Sequence, residues 1–273
     1  RNWINDHLVY THGFGFVAAY GNTVDADGKP NFVVGDLPPT SGLGKFEPRI
    51  YFGENVPDYS IIGGNSKTDV EFDYPDDTSP NGQKNTTYKG KGGVPIGNLF
   101  NRLVFTIKYQ EQRILLSNLI NSDSKILFNR NPRDRVAKVA PWLTLDGDPY
   151  PAIVNGRIIW IVDGYTSSAN YPYSQMINLQ NATTNTLTLN SATVQALPDA
   201  NANYIRNSVK ATVDAYDGTV TLYQWDTNDP VLKVWSYAFP NLVKPKSAIP
   251  AQLLDHVRYP EDIFSVQRNI LST

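Results

Sequence analysis

Cysteine is absent from this sequence of 273 residues, so neither a disulfide bond nor a cysteine-ligated zinc site can form. Histidine is scarce, and a histidine-rich zinc site would need all three histidines, or two of them with a carboxylate, gathered from opposite ends of the chain. An excess of positive charge is also missing, because the 24 basic residues are scattered and are outnumbered by 26 acidic ones. This balance argues against a nucleic-acid-binding surface, and no nucleic-acid partner is predicted.

Long apolar runs are lacking as well. The run 158–162 contains five apolar residues, whereas a helix that spans a bilayer needs about 18 or more. The chain begins at Arg1-Asn2-Trp3, without an initiator methionine or the apolar segment of a signal peptide. We therefore expect this chain to be a segment of a longer protein.

The composition is that of a folded protein, with 41% hydrophobic and 18% charged residues. The length suffices for one large domain or two modest ones. Gly13, Gly15 and Ala18 match the spacing of a dinucleotide-binding motif, but Gly21 would end the required helix after about one turn. No cofactor is therefore predicted.

The first third of the chain differs from the middle. Residues 8–90 contain short extended runs separated by glycine, proline and asparagine, with 73–93 predicted to be a surface loop. One face of an amphipathic helix follows, and the spacing predicts that this helix begins near Gly97 and continues through Leu119. Its apolar positions are Phe100, Leu103, Val104 and Ile107. Asn131-Pro132 then predicts the start of a short helix that ends before Pro141.

Two β-hairpins are predicted in the second half. Tyr150–Val154 and 157–162 flank Asn155-Gly156, a dipeptide that favours a type I′ turn. The second hairpin joins 208–214 to 219–225, with alternating apolar residues on one face. Between the hairpins, 178–207 is predicted to be a long loop with one weak strand at 186–189.

The last part of the chain is predicted to be helical. Asp229-Pro230 favours the start of a short helix, and two closing helices are expected after Pro250. Together these elements predict an α+β fold with mainly antiparallel hairpins, a helical middle segment and C-terminal helices. We expect a single compound domain over 1–273, with possible lobes at 1–92 and 142–273 joined by the helical segment 93–141.

Three residues are candidates for catalysis. His12 could act as a general base because the pKa of histidine lies near neutrality, although structural packing against aromatic residues is the alternative. Arg258 could bind an anion through two hydrogen bonds or pair with a carboxylate. Asp163 closes the first hairpin and leads into a loop that carries hydroxyl groups.

That loop supplies the candidate ligand-binding residues Tyr165, Tyr171 and Tyr173. A tyrosine offers an apolar face and a polar tip, which suits contact with a sugar or a peptide. If the three side chains bound one ligand, they would have to line a common concave pocket. No Ser-His-Asp arrangement can be assigned around them, because no nucleophile elbow is present.

Two aspartate pairs lie on turns of the kind that bind calcium, Asp25 with Asp27 and Asp146 with Asp148. Neither segment supplies the full series of ligands of a calcium loop, so no metal is predicted and a solvated turn is the expected state.

Several segments of the chain resemble a known family. Residues 141–175, the run 131–136, the segments 203–211 and 213–218, and His256 to Phe264 are similar to uncharacterised protein family 0182. Members are large polytopic membrane proteins, mainly of actinobacteria, in which this region follows several transmembrane helices and is thought to lie outside the cytoplasmic membrane. The family has no established catalytic residues to transfer.

The resemblance implies an extracytoplasmic segment of a cell-membrane protein that is joined to the membrane through the parent protein's transmembrane region. We expect a recognition or assembly role, with envelope proteins, glycan or lipid as partners. An enzyme or a ligand-capture module acting on envelope glycan or lipid is the alternative. The enzyme hypothesis requires His12, Asp163 and Arg258 to converge in one cleft.

Overall fold

A computed structural model describes residues 2–64 and 69–272. The chain divides into two compact units. Unit 1 contains the residues up to Arg130 together with Ala215–Gly218, and unit 2 contains Asn131–Asp214 and the residues from Thr219 onward. Among the described residues, no helix has the length and apolar character needed to cross a membrane.

Unit 1 is built from small sheets and two helices. After a π-helix at Asn5–Val9, its elements are β1 (Gly13–Phe14), β2 (Ala18–Val24), β3 (Pro30–Gly35), β4 (Thr40–Ser41), β5 (Arg49–Ile50), β6 (Tyr59–Ile62), β7 (Glu71–Pro75), β8 (Gln83–Thr86), β9 (Val94–Pro95), α1 (Leu99–Tyr109), α2 (Arg113–Leu116) and β10 (Lys125–Phe128). All its strand pairs are antiparallel: β1 with β5, β2–β3–β4, β7 with β8, and β6–β10–β9.

The interior of unit 1 lies around β10. Ile126, on β10, belongs to a cluster with Tyr59, Ile61 and Phe105. Leu127, the next residue, points into a second cluster with aromatic side chains of unit 1. Successive side chains of a strand point to opposite faces, so β10 is apolar on both faces because each face has its own core.

Arg130 follows β10 and is one of the largest fully buried side chains of unit 1. Its guanidinium donates to the backbone oxygens of Tyr51 (2.7 Å), Pro57 (3.2 Å) and Thr11, and to Ser60 Oγ (2.7 Å). Burial lowers the pKa of Arg130 to about 9, which still leaves the group charged at neutral pH. One cation therefore ties three separate stretches of the chain together, at Thr11, at Tyr51 and at 57–60.

Unit 2 contains one large sheet and most of the helices. Its elements are α3 (Pro132–Val139), β11 (Thr144–Leu145), β12 (Tyr150–Val154), β13 (Arg157–Ser168), β14 (Ile177–Asn178), α4 (Leu179–Thr183), α5 (Thr186–Asn190), β15 (Asn201–Ala202), β16 (Tyr204–Asp214), β17 (Val220–Gln224), α6 (Pro230–Ala238), β18 (Val243–Lys244), α7 (Ala251–Leu254) and α8 (Glu261–Leu271), with a 3-10 turn at Lys246–Ala248.

The large sheet has the order β11–β13–β16–β17–β18, and β12 also pairs with β13. All pairs are antiparallel except β17 with β18. Asn155 and Gly156 have φ angles of 51° and 73°, as the type I′ turn between β12 and β13 requires. In the second hairpin Ala211 lies opposite Leu222 and Val213 opposite Val220. Both predicted hairpins and the α+β class are confirmed.

The caps of two helices also form as predicted. The Asn131 side chain accepts hydrogen bonds from the backbone nitrogens of Arg133 (2.9 Å) and Asp134 (3.3 Å) at the start of α3. The buried Asp229 carboxylate caps α6 in the same way, and a proline follows each cap. These starts are encoded locally, because the side-chain oxygen satisfies amides that have no partner within the helix.

Other expectations need correction. The helix predicted to continue through Leu119 ends at Tyr109, because Gln110 adopts a left-handed conformation (φ 51°), and its apolar face is exposed. The segment 178–207 contains the helices α4 and α5, the latter fixed by a capping box between Asn185 and Thr188. The predicted loop 73–93 contains most of the β7–β8 hairpin, and Leu8 lies in the π-helix rather than in a strand.

Replacing Arg130 with methionine should lower the free energy of unfolding by about 3 kcal/mol, because four buried acceptors lose their donor while much of the volume is retained. Urea denaturation monitored by circular dichroism measures this change. The control is Arg268→Met on the exposed side of α8, which should change stability by less than about 0.5 kcal/mol. Equal effects of the two substitutions would contradict the role assigned to Arg130.

Candidate functional site

A buried ion pair lies at the centre of the large sheet of unit 2. Asp163 on β13 and Lys210 on β16 are direct cross-strand neighbours, and their side chains form an ion pair. They are 3% and 1% exposed. Burial raises the pKa of Asp163 and lowers the pKa of Lys210, while the attraction between the two charges opposes both shifts. Asn207 Nδ2 donates a further hydrogen bond to Asp163 (3.0 Å).

A pair of carboxylates, Asp146 and Asp262, adjoins this ion pair. Asp146 Oδ2 accepts hydrogen bonds from the Tyr165 hydroxyl and from the backbone nitrogen of Asp262 (3.2 Å). In return, the Gly147 nitrogen donates to Asp262 Oδ2 (2.7 Å). Burial and the charge of Asp146 raise the pKa of Asp262 to about 7. Burial is the main cause that raises the pKa of Tyr165, and the negative charge of Asp146 raises it further. The loop before β12 is thereby tied to the first turn of α8.

Arg258, in the segment that precedes α8, connects the ion pair to Asp148, whose backbone nitrogen donates to Asp146 Oδ1 (3.0 Å). Its Nη2 donates to Asp148 Oδ2 (2.6 Å), and its guanidinium lies 4.0 Å from the centre of the Tyr150 ring. The backbone oxygen of Arg258 accepts a hydrogen bond from Lys210 Nζ (3.3 Å). Five residues selected from the sequence are therefore joined in one cluster. They are Asp146, Asp148, Asp163, Tyr165 and Arg258.

A cavity of about 430 Å³ opens beside this cluster. Its polar wall contains Arg206, Asn207, Lys210, Asp226 and Arg258, and its aromatic wall contains Trp225 and Tyr259. The remaining wall is apolar, with Leu254, Val257 and Ile263 among its residues. This mixture of apolar surface and a few polar groups is typical of a small-molecule site.

The polar groups of the cavity differ in whether they already have ion-pair or hydrogen-bond partners within the protein. Arg206 forms an ion pair with Asp226, so each of the three cations in the wall already has a carboxylate partner. Asn207 Oδ1 is buried and accepts no hydrogen bond from any residue that the structure describes. A buried acceptor without a donor is unfavourable, so this atom favours a ligand that can donate a hydrogen bond.

His12 lies in unit 1, whereas Asp163 and Arg258 lie in unit 2. The buried imidazole of His12 contacts Asp73 Oδ1 (3.2 Å) and Thr11 Oγ1 (2.9 Å) and packs against Tyr51. Burial acts to raise the pKa of Asp73, but hydrogen bonds from His12 and Arg49 outweigh it and the pKa is lowered. The three catalytic candidates each have their own partners, and within the described residues only Asp163 and Arg258 share one, Lys210.

The three candidate tyrosines are not lining residues of this cavity. Tyr165 is fully buried, and all residues 160–166 of the central strand β13 are buried. Tyr171 is 56% exposed and stacks on Tyr204, and Tyr173 is fully exposed. Tyr165 therefore acts as a donor to Asp146, while the other two lie on the surface.

The candidate metal ligands have other partners. Asp25 Oδ1 accepts hydrogen bonds from the backbone nitrogens of Asp27 (2.9 Å) and Lys29 (2.8 Å), so this pair forms a turn between β2 and β3. Asp146 and Asp148 bind Tyr165 and Arg258 as described above. In residues 2–64 and 69–272, no three histidine, aspartate or glutamate side chains are arranged to hold a metal ion.

Sequence reasoning missed Lys210, Asn207 and Asp262. The alternation of Val209, Ala211 and Val213 left Lys210 on the face expected to be polar. All six residues 208–213 are in fact buried, because α8 contacts β16 as well. A negative charge is favourable in the first turn of a helix whatever it contacts, so nothing local indicates the partner of Asp262, which lies 116 positions away.

The whole chain, residues 1–273, matches the family model described as "Uncharacterised protein family (UPF0182)". A UPF0182 protein of Bifidobacterium adolescentis is 55% identical over 100% of this chain, which covers 25% of that relative. UPF0182 proteins of Paenarthrobacter aurescens and Kineococcus radiotolerans are each 53% identical, with 28% and 26% of their lengths covered. The chain thus spans about a quarter of these curated relatives. No solved structure matches.

The raised pKa of Asp262 predicts a specific dependence of stability on pH. Its pKa is about 7 when folded and about 3.9 when unfolded, so the folded chain binds the extra proton and loses stability as pH rises from 4 through 7. Asp262→Asn should remove this contribution and raise the free energy of unfolding at pH 8, relative to pH 4, by about 2–4 kcal/mol compared with the parent.

Chemical denaturation at several pH values measures this difference. The control is Asp255→Asn, which replaces an exposed carboxylate just before the cavity-lining segment of the same unit. Parallel pH profiles for the parent chain and Asp262→Asn would contradict the assignment.

Proposed function

We propose that this chain, which belongs to the uncharacterised protein family UPF0182, is an extracytoplasmic recognition region of a larger polytopic cell-envelope protein. The family resemblance supports this location. The proposed ligand is a saccharide unit of an envelope glycan, and the chemistry of the cavity in unit 2 supports this ligand class.

The observation that carries the saccharide proposal is the unsatisfied Asn207 Oδ1, because Asn207 is a residue of the polar wall of the cavity. A sugar hydroxyl can donate to this oxygen and accept from a guanidinium at the same time. Arg258 offers planar donors, and it uses Nη2 for both of its hydrogen bonds to Asp148. The Tyr259 ring, with its residue 61% exposed, provides an apolar face beside them.

Charge decides between a neutral and an anionic ligand. Arg206, Lys210 and Arg258 are paired with Asp226, Asp163 and Asp148 respectively. Because the cations are already neutralised, a phosphate group would have to compete with carboxylates that are in place. A polyhydroxylated neutral ligand needs no such exchange, so it fits this cavity better.

Recognition fits the geometry better than catalysis. Asp146, Asp163 and Asp262 are each less than a tenth exposed and are absent from the cavity wall. Of the described residues that line the cavity, Asp226 alone carries a carboxylate, and Arg206 holds it. A general acid or base must reach the proton that it transfers, and Asp146, Asp163 and Asp262 do not line the cavity.

Isothermal titration calorimetry tests the proposal with two probes, a disaccharide of N-acetylglucosamine and a disaccharide of galactose. At least one should bind, and Asn207→Ala and Tyr259→Ala should each weaken that binding by about tenfold, since each removes one contact worth about 1 kcal/mol. Asn181→Ala on the exposed side of α4 is the matched control and should leave the affinity unchanged.

Failure of both disaccharides to bind would overturn the saccharide proposal. So would binding that is equally strong in all three variants. Mass spectrometry of the recovered probe distinguishes the alternative, because a cleaved or modified disaccharide would indicate an enzyme instead of a recognition site.

A further inference from the structure

Helix α1 exposes its apolar face. Leu99 and Phe100 are each 73% exposed, and Ile107 is 69% exposed. Between them in the chain, Leu103 is 46% exposed and Val104 is 44% exposed. Phe105 is the residue of this helix that is buried in the core of unit 1. An amphipathic helix normally buries its apolar face, so this arrangement indicates a surface that contacts something apolar.

Two further exposed leucines follow α1 in the chain. Leu116 at the end of α2 is 72% exposed, and Leu119 after it is 49% exposed. The two helices contact each other within unit 1. We call the exposed apolar side chains of α1, together with Leu116 and Leu119, the apolar face.

The apolar face is held in a fixed orientation. Asn98 caps α1 by accepting a hydrogen bond from the Asn101 nitrogen (2.8 Å). Arg102, on the opposite side of the helix from Ile107, donates to the Ile96 carbonyl (3.1 Å) and to the Ile120 carbonyl. The polar side of α1 is therefore anchored to unit 1, which directs the apolar side outward.

The sequence around α1 is basic, although the chain as a whole has a net charge of −2. Residues 78–110 contain no aspartate or glutamate. The basic residues of this segment are Lys84, Lys89, Lys91, Arg102 and Lys108. Lys84 forms an ion pair with Asp76 and Arg102 is bound to unit 1, so the exposed cations of the segment that can face an anionic partner are Lys89, Lys91 and Lys108. Glu111, the first acidic residue after it, is bound to Arg113 (2.8 Å). Local positive charge next to an apolar helix face is typical of a helix that lies on an anionic membrane.

We propose that α1 and α2 lie in the surface of a lipid bilayer that contains anionic head groups, with the apolar face inserted among the acyl chains near the surface. This contact is independent of the cavity in unit 2. A bilayer fits better than a second copy of the chain, because a two-fold interface would place the same basic segment against itself. Anionic head groups instead complement that charge.

Vesicle sedimentation of the whole 273-residue chain tests the proposal. The probes are vesicles of phosphatidylcholine alone and of phosphatidylcholine with phosphatidylglycerol in equal parts. We expect binding to the anionic vesicles that is at least about tenfold tighter than to the neutral ones and that falls with added salt.

The double variant Phe100→Ser/Ile107→Ser should reduce binding to the anionic vesicles by at least about tenfold, because two large apolar side chains no longer insert. Both residues are largely exposed, so the fold should be retained, which circular dichroism verifies. The matched control is Val234→Ser/Tyr237→Ser on α6, where the parent residues are 68% and 91% exposed. This control should bind the vesicles like the parent chain.

Three results would each overturn the proposal. The first is no binding of the parent chain to either vesicle, and the second is equal binding to both that is insensitive to salt. The third is a dimer of the parent chain in light scattering that the Phe100→Ser/Ile107→Ser variant converts to monomer. That result would assign the apolar face to a second copy.

Discussion

The ion pair between Asp163 and Lys210 is the interaction on which the rest of unit 2 depends. Removing two charges from water is costly, and the cost is recovered only when the pair is close and the remaining donors and acceptors are satisfied. Here Asn207 supplies a further hydrogen bond to Asp163, and Lys210 donates to the backbone of Arg258. The pair therefore requires the segment before α8 to lie at one position over the sheet.

The pair of carboxylates, Asp146 and Asp262, also fixes the start of α8. The Asp146 carboxylate accepts from the backbone nitrogen of Asp262, and the Asp262 carboxylate accepts from the backbone nitrogen of Gly147, so the loop before β12 is joined to the first turn of α8. Burial, and then the charge of Asp146, raises the pKa of Asp262 to about 7, so this carboxyl group is partly protonated near neutrality. Together the two pairs fix the wall that carries Arg258 and Tyr259, so the polar core of unit 2 determines the shape of the cavity.

Those parts of the fold that are encoded locally could be predicted from the sequence. The Asn155-Gly156 turn and the cap at Asn131 need only their immediate neighbours. The outward direction of α1 could not be predicted, because periodicity identifies an apolar face without showing what covers it. Lys210 was missed for the same reason: the alternation of β16 does not show that α8 covers its second face. Asp163 and Arg258 were selected individually, but their common partner is distant in sequence.

The most direct test is a titration of the isotope-labelled chain with each of the two disaccharides, of N-acetylglucosamine and of galactose, followed by nuclear magnetic resonance. The account predicts chemical-shift changes at the Asn207 side-chain amide, the Trp225 indole and the backbone amides around Arg258. Changes confined to the exposed loop around Tyr171 and Tyr173, or spread over unit 1, would contradict the claim that this cavity is the recognition site.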